Sequence, residues 1–183
     1  MSLLSYNSLL DLVKRGVIDC PLENINGASI DITLANTVML EEVTPARKYI
    51  NLRDKENIKM HSFELGKGEC FHLHPNQFLL ASSNEIFNLP NDIACEYKLK
   101  SSLARNGLQH MLAGWCDPGW SHSKLTLELK NVTQFHTLLL EPGMKIGQMV
   151  FWECDEPVPR KQSYAVKGQY NNQVSVTSSK GLK

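Results

Sequence analysis

The chain opens on an amphipathic stretch and then changes period. Leu4, Leu9, Leu12 and Val13 recur at the spacing of one helical face, which predicts a helix over 4–16, started by Ser5 and stopped by Gly16. Beyond it the apolar positions alternate. The runs 29–34 and 125–130 switch between polar and apolar at every step, the period of a half-buried strand. Short β-rich runs follow at 69–74, 78–82, 137–140 and 147–152. Turn formers separate them: Asn26-Gly27, Pro75-Asn76, Pro90-Asn91, Asp117-Pro118-Gly119 and Pro142-Gly143. Many short strands at near-regular spacing predict a mainly β fold, whether sandwich, jelly roll or distorted barrel. One further short helix is predicted at 101–107, with serine at its start and Gly107 at its end. From Gly168 to Lys183 the chain is rich in Gly, Ser, Asn and Gln, which reads as a mobile tail.

Composition narrows the class. At 183 residues, with no internal repeat and no long linker, residues 1–183 form a single domain. Hydrophobic residues at 42% and charged ones at 21% suit a globular protein with a full core. Lys plus Arg equals Asp plus Glu at 19 each, which removes the broad basic field of a non-specific nucleic-acid binder. No apolar run approaches the ~20 residues of a membrane span. The first residues carry no basic flank and no cleavage site, so no secretory signal is expected. The five cysteines are odd in number and widely spaced, with no Cys-x-x-Cys, which points to reduced thiols and a cytoplasmic protein.

Several constellations could carry chemistry. In the run 125–130, Leu125, Leu127 and Leu129 share the core face, so Thr126, Glu128 and Lys130 point the other way. A mid-strand carboxylate there either meets solvent or lines a pocket. Lys100, Ser101, Ser102 and Arg105 put two hydroxyls and two cations around a helix start, which makes an anion site or an ordinary capped turn. Asp117 opens an Asp-Pro-Gly turn, a common motif. His72 and His74 share a strand face as in half of a cupin metal motif, but Phe78 and Leu79 stand where a glutamate would follow. The His-x-Glu and Pro-Cys-x-x-Cys elements of a zinc nucleobase deaminase are missing from the sequence, so a deamination here would proceed without zinc.

Taken in order, these segments resemble the dCTP deaminase family of the trimeric dUTPase superfamily. The matching stretches are 26–31, 100–105, 113–120, 125–129 and 142–148, with Tyr164 and 169–173 matching less closely. The resemblance implies a distorted β-barrel or jelly roll of the dUTPase type, with an N-terminal and one short internal helix. It implies a homotrimer with active sites between subunits. Glu128 then matches the general acid/base, and Ser101 and Arg105 the residues that position and activate water. Lys100, Ser102 and Gln148 match triphosphate contacts, and Asp117 the aspartate near the sugar. Thr126 matches the backbone that reads the pyrimidine edge. Tyr164, Gln169 and Gln173 fall in the segment that closes over the nucleotide. Mg2+ accompanies the triphosphate in this family, with no protein ligand, and dTTP is a candidate inhibitor. Gly114 and Trp115 resemble the bifunctional members that carry dCTP through dUTP to dUMP, with Asp117 orienting the second water.

The sequence departs from that pattern in three places. The turn between Asp117 and Glu128 is one residue longer, Gln169 stands where a phosphate-contacting lysine is typical, and the Tyr164–Gln169 spacing is short. Rival readings are a monofunctional deaminase that releases dUTP, a plain dUTPase, a non-catalytic nucleotide-sensing trimer and a cupin-type metal enzyme.

Overall fold

The computed structural model describes residues 2–43, 49–54 and 57–181. The first element is a short strand, β1 (Ser2–Leu3), followed by α1 (Tyr6–Lys14) and β2 (Ile18–Asp19). The long β3 (Ile30–Glu41) precedes β4 (Met60–Glu64), β5 (Phe71–Leu73), β6 (Phe78–Ser83), β7 (Ile86–Asn88) and β8 (Ile93–Leu99). A single turn of helix, α2 (Ser101–Ala104), leads to β9 (Leu108–His110), β10 (Trp115–Cys116), β11 (Ser121–Ser123) and β12 (Thr126–Asn131). The chain closes with β13 (Leu138–Leu140), β14 (Lys145–Glu153) and α3 (Tyr164–Lys167).

The largest sheet runs β10-β8-β14-β3-β6-β12-β9, with β1 added to β14 and β4 to β3. Two small sheets, β11-β7-β2 and β13-β5, fold against it. β3 bends the large sheet. Its first residues pair with β14, and after a register shift between Leu34 and Val38 its second half pairs with β6 and β4. The mainly β expectation holds.

The core follows from the alternation. Ile30, Ile32 and Leu34 of β3, Leu127 and Leu129 of β12, and Met149 and Phe151 of β14 are fully buried. α1 packs on this core through Leu9 and Leu12, with Ser5 extended at its N-cap. It is shorter than the predicted 4–16 because the chain at Leu4 is already bonded to the sheet, its N–H donating to Phe151 O at 3.0 Å.

The C-terminal segment, read from composition as a mobile tail, is docked over 168–181, while 182 and 183 lie outside the described residues. Trp120 Nε1 donates to Tyr170 O at 2.7 Å, Lys124 N to Gln173 O at 2.7 Å, and Ser121 N to Asn171 Oδ1 at 2.8 Å. Composition registers the lack of apolar side chains in this segment. It carries no sign of these backbone partners.

Candidate active site

β12 builds the floor of the site. Its burial alternates as the sequence predicts, with Leu127 and Leu129 buried and Thr126, Glu128 and Lys130 half-buried on the opposite face. That face borders a cavity of about 480 Å³, within the size range of small-molecule sites. Its walls combine Leu80 and Met60 of the sheet with Trp115 and Trp120, and the docked tail contributes Tyr170 and Gln173. Among its lining residues the charged side chains are Glu128 and Lys124.

Glu128 has a buried neighbour that the sequence reading passed over. β9 pairs with β12 so that His110 lies opposite Leu129, and His110 Nε2 comes to 3.4 Å from Glu128 Oε2. Neither atom has a well-formed hydrogen bond, and both are buried. The Tyr97 ring meets the His110 ring edge to face at 4.6 Å, and its hydroxyl is also buried without a partner. Burial pushes the Tyr97 phenol well above its ordinary value. Buried polar atoms left unpaired are costly, so the adjoining His110 Nε2 and Glu128 Oε2 mark a site poised for a ligand or water. The Leu108-x-His110 alternation beside a strand-like carboxylate was the available signal.

The 114–117 segment hugs the sheet. A Cβ on Gly114 would lie 2.7 Å from Tyr97 O, so β10 approaches β8 this closely only with glycine there. Trp115 lines the cavity and donates its Nε1–H to Asp117 Oδ1 at 2.9 Å. Asp117 itself is exposed and does not line the cavity. Tyr164 does, and its hydroxyl accepts the Tyr170 N–H at 3.3 Å. Gln169 stands outside the cavity lining, its carbonyl held by Lys180 Nζ at 2.7 Å.

The turn between Asp117 and Glu128 holds an irregular strand pairing. β11 pairs Ser121 with Asn88 and Ser123 with Phe87, and His122 between them has φ +52°. This is a bulge ending two residues before Leu125, just ahead of β12.

The basic cluster lies elsewhere on the chain. Lys100 Nζ is 2.7 Å from Asp31 Oδ1, Lys145 Nζ is 2.9 Å from Oδ2, and Asn26 Nδ2 donates to Oδ1 at 2.9 Å. Burial alone would raise the Asp31 pKa, but the bonds from Lys100, Lys145 and Asn26 outweigh it and hold the carboxyl below its ordinary value. Gln148 Oε1 accepts from Ser29 Oγ at 3.4 Å. Ser101 and Ser102 are exposed on α2, and Arg105 is exposed at its C-cap. Thus one chain gathers Thr126, Glu128, Tyr164 and Gln173 around a cavity, while Lys100, Ser101, Ser102, Arg105, Asp117, Gln148 and Gln169 do not line it. His72 is exposed on β5, and His74 Nδ1 contacts Thr137 Oγ1 at 3.1 Å.

Comparison with known proteins identifies the lineage. The dCTP deaminase-like family model matches residues 3–154. The chain belongs to that family. It is 33% identical over 165 residues to "dCTP deaminase, dUMP-forming" of Dictyoglomus turgidum, covering 89% of this chain and 84% of that one. It is 37% identical over 162 residues to the protein of the same name from Nocardia farcinica, covering 87% and 80%. Among solved structures, the fold resembles 2'-deoxycytidine 5'-triphosphate deaminase from Agrobacterium tumefaciens at a TM-score of 0.64 and 18% identity. That match covers 81% of this chain and spans about half, 47%, of the other. In this dCTP deaminase-like chain, no helix among the described residues is long and apolar enough to cross a membrane.

Proposed function

We propose that this chain hydrolytically deaminates the cytosine of dCTP and carries the product on to dUMP. The observation that carries this reading is the Glu128 carboxylate, half-buried on the floor of a nucleoside-sized cavity with Oε2 unpaired and His110 at 3.4 Å. The dUMP-forming relatives support the same chemistry.

In the first reaction water adds to C4, N3 takes a proton, and the C4–N bond breaks to release ammonia. Glu128 takes the proton from water and hands it to the ring, general acid/base work typically giving roughly 10²–10⁴-fold. His110 acts as a positioning residue that keeps the carboxylate aimed into the cavity. Thr126 lies one step along the same face, where its backbone reads the pyrimidine edge. Tyr164 and Gln173 close the cavity from the tail.

Ser101 and Arg105 hold the water in this reading, and they come from a neighbouring copy. Their exposure on α2 and at its C-cap, away from their own chain's cavity, fits a homotrimer with shared sites. Lys100, Ser102 and Gln148 then meet the triphosphate from that same neighbour. In the second reaction Asp117 orients water onto the α-phosphorus and pyrophosphate leaves, with Gly114 and Trp115 shaping the loop. Mg2+ enters with the triphosphate as part of the substrate. Among the described residues no three His, Cys, Asp or Glu side chains converge as they would to hold a metal ion. The reading places the enzyme in the cytoplasm, with dTTP as a competing ligand.

Chromatography of products from dCTP and Mg2+ tests this. Ammonia, dUMP and pyrophosphate are expected. Accumulation of dUTP without pyrophosphate rules against the second reaction, and unchanged dCTP rules against both.

A further inference from the structure

Resting on that reading, we infer that Lys124 supplies the cavity's own positive charge to the phosphate chain of the nucleotide, with the Gln173 amide beside it. The alternation of β12 continues backwards through its first residue: Ser123 and Leu125 are buried, while Lys124, Thr126 and Glu128 are half-buried and line one cavity. From Lys124 to Glu128 is four steps of extended chain, roughly 13 Å. A nucleotide whose pyrimidine edge lies along Thr126 and Glu128 leaves the Lys124 end of the same strand for its sugar-phosphate part.

The electrostatics favour this direction. Lys124 is the ammonium of the lining, and its Nζ makes no ion pair with any described residue. Its field reaches the buried Glu85, but that carboxylate takes its hydrogen bonds from Thr33 N and Oγ1. Lys100 lies outside this cavity, paired with Asp31. The second observation is independent of charge. Gln173 is 8% exposed, lines the same cavity, and holds a buried side-chain Nε2 with no acceptor. Its backbone is tied to the 123–124 segment, its carbonyl accepting Lys124 N at 2.7 Å and its N–H donating to Ser123 Oγ at 3.2 Å. A buried amide donor with no acceptor and an ammonium with no carboxylate partner thus line one cavity from segments bonded to each other, where an acceptor-rich, anionic group would suit both.

Equilibrium binding of deoxycytidine, dCMP and dCTP to the full chain tests this, in a Glu128→Gln background that prevents turnover. Lys124→Met is expected to weaken dCTP about tenfold or more, the scale of a lost charge-assisted bond, while changing deoxycytidine less than about twofold. Lys124→Arg keeps the charge and is expected to stay within about threefold of the parent for dCTP. Equal effects on deoxycytidine and dCTP, or no effect on either, overturn the proposal and make Lys124 a support for Glu85. Should Lys124→Met fail to fold, a loss of dCTP affinity in Lys124→Arg as large as in Gln173→Ala overturns it also. If the wild-type protein binds and converts dCTP while the Lys124 variants show no phosphate dependence, the inference falls and the functional reading stands.

Discussion

Asp31 shows how one side chain can organise a region it does not itself complete. Three donors converge on its carboxylate from Asn26, Lys100 and Lys145, and the bond from Lys100 fixes the end of β8 just before α2 begins. Its folded pKa lies below the ordinary 3.8, so its contribution to stability is present above that value and is lost as pH falls through the folded one. Asp31→Asn is therefore expected to lower stability by about 2 kcal/mol near neutrality. The gap to wild type should hold above the ordinary value of 3.8 and close as pH falls below it, as measured by denaturant melts. A gap that stays constant through that fall would show that packing, and not charge, is what Asp31 provides. Glu128 sits in the opposite situation. It has one imperfect neighbour, His110, and an open cavity, so its geometry leaves room for a substrate proton.

At the scale of elements, the docked tail decides how closed the cavity is. Tyr170 and Gln173 form part of its wall, and Thr177 N donates to Thr126 Oγ1 at 3.3 Å, across the face expected to read the base. Under the proposed function this segment opens to admit ligand, and the docked position is its closed state. Tryptic cleavage after Lys167, which is exposed at the end of α3, should slow about tenfold when dCTP is present at about ten times its Kd. Equal cleavage rates with and without dCTP would mean that the tail does not respond to the nucleotide.

This segment also marks where the sequence could and could not be read. β12 was legible because strict alternation has one solution on a half-buried sheet, whereas the start of β3 was legible as a strand but not in its burial, since Asp31 between Ile30 and Ile32 is buried as well. β10, only two residues long, was not, because its pairing depends on Gly114 fitting under Tyr97 O, a contact between positions seventeen apart in sequence. His110 was missed for a similar reason: its meaning lies in the register between β9 and β12. The tail's docking runs through backbone atoms, which composition does not register.

At the scale of the whole molecule, the groups expected to share one reaction lie in two places. The carboxylate borders the cavity, and the hydroxyl–guanidinium pair at Ser101 and Arg105 is exposed on α2 and at its C-cap. A symmetric assembly that brings α2 of one copy to the cavity of the next reunites them. Two inactive variants, Glu128→Gln and Arg105→Ala, then complement each other when co-refolded in equal amounts. Each shared site draws both intact residues with a chance of about one half times one half, so about a quarter of wild-type activity should return. Activity no higher than that of the separate variants would place Arg105 and Glu128 in the same chain's site or in none.

The most direct test of the account is Glu128→Gln under single-turnover conditions with dCTP. The variant is expected to bind dCTP within about threefold of wild type while ammonia release falls by roughly 10²–10⁴-fold. Ammonia release at a near-normal rate would contradict the account, because the proton would then have another carrier.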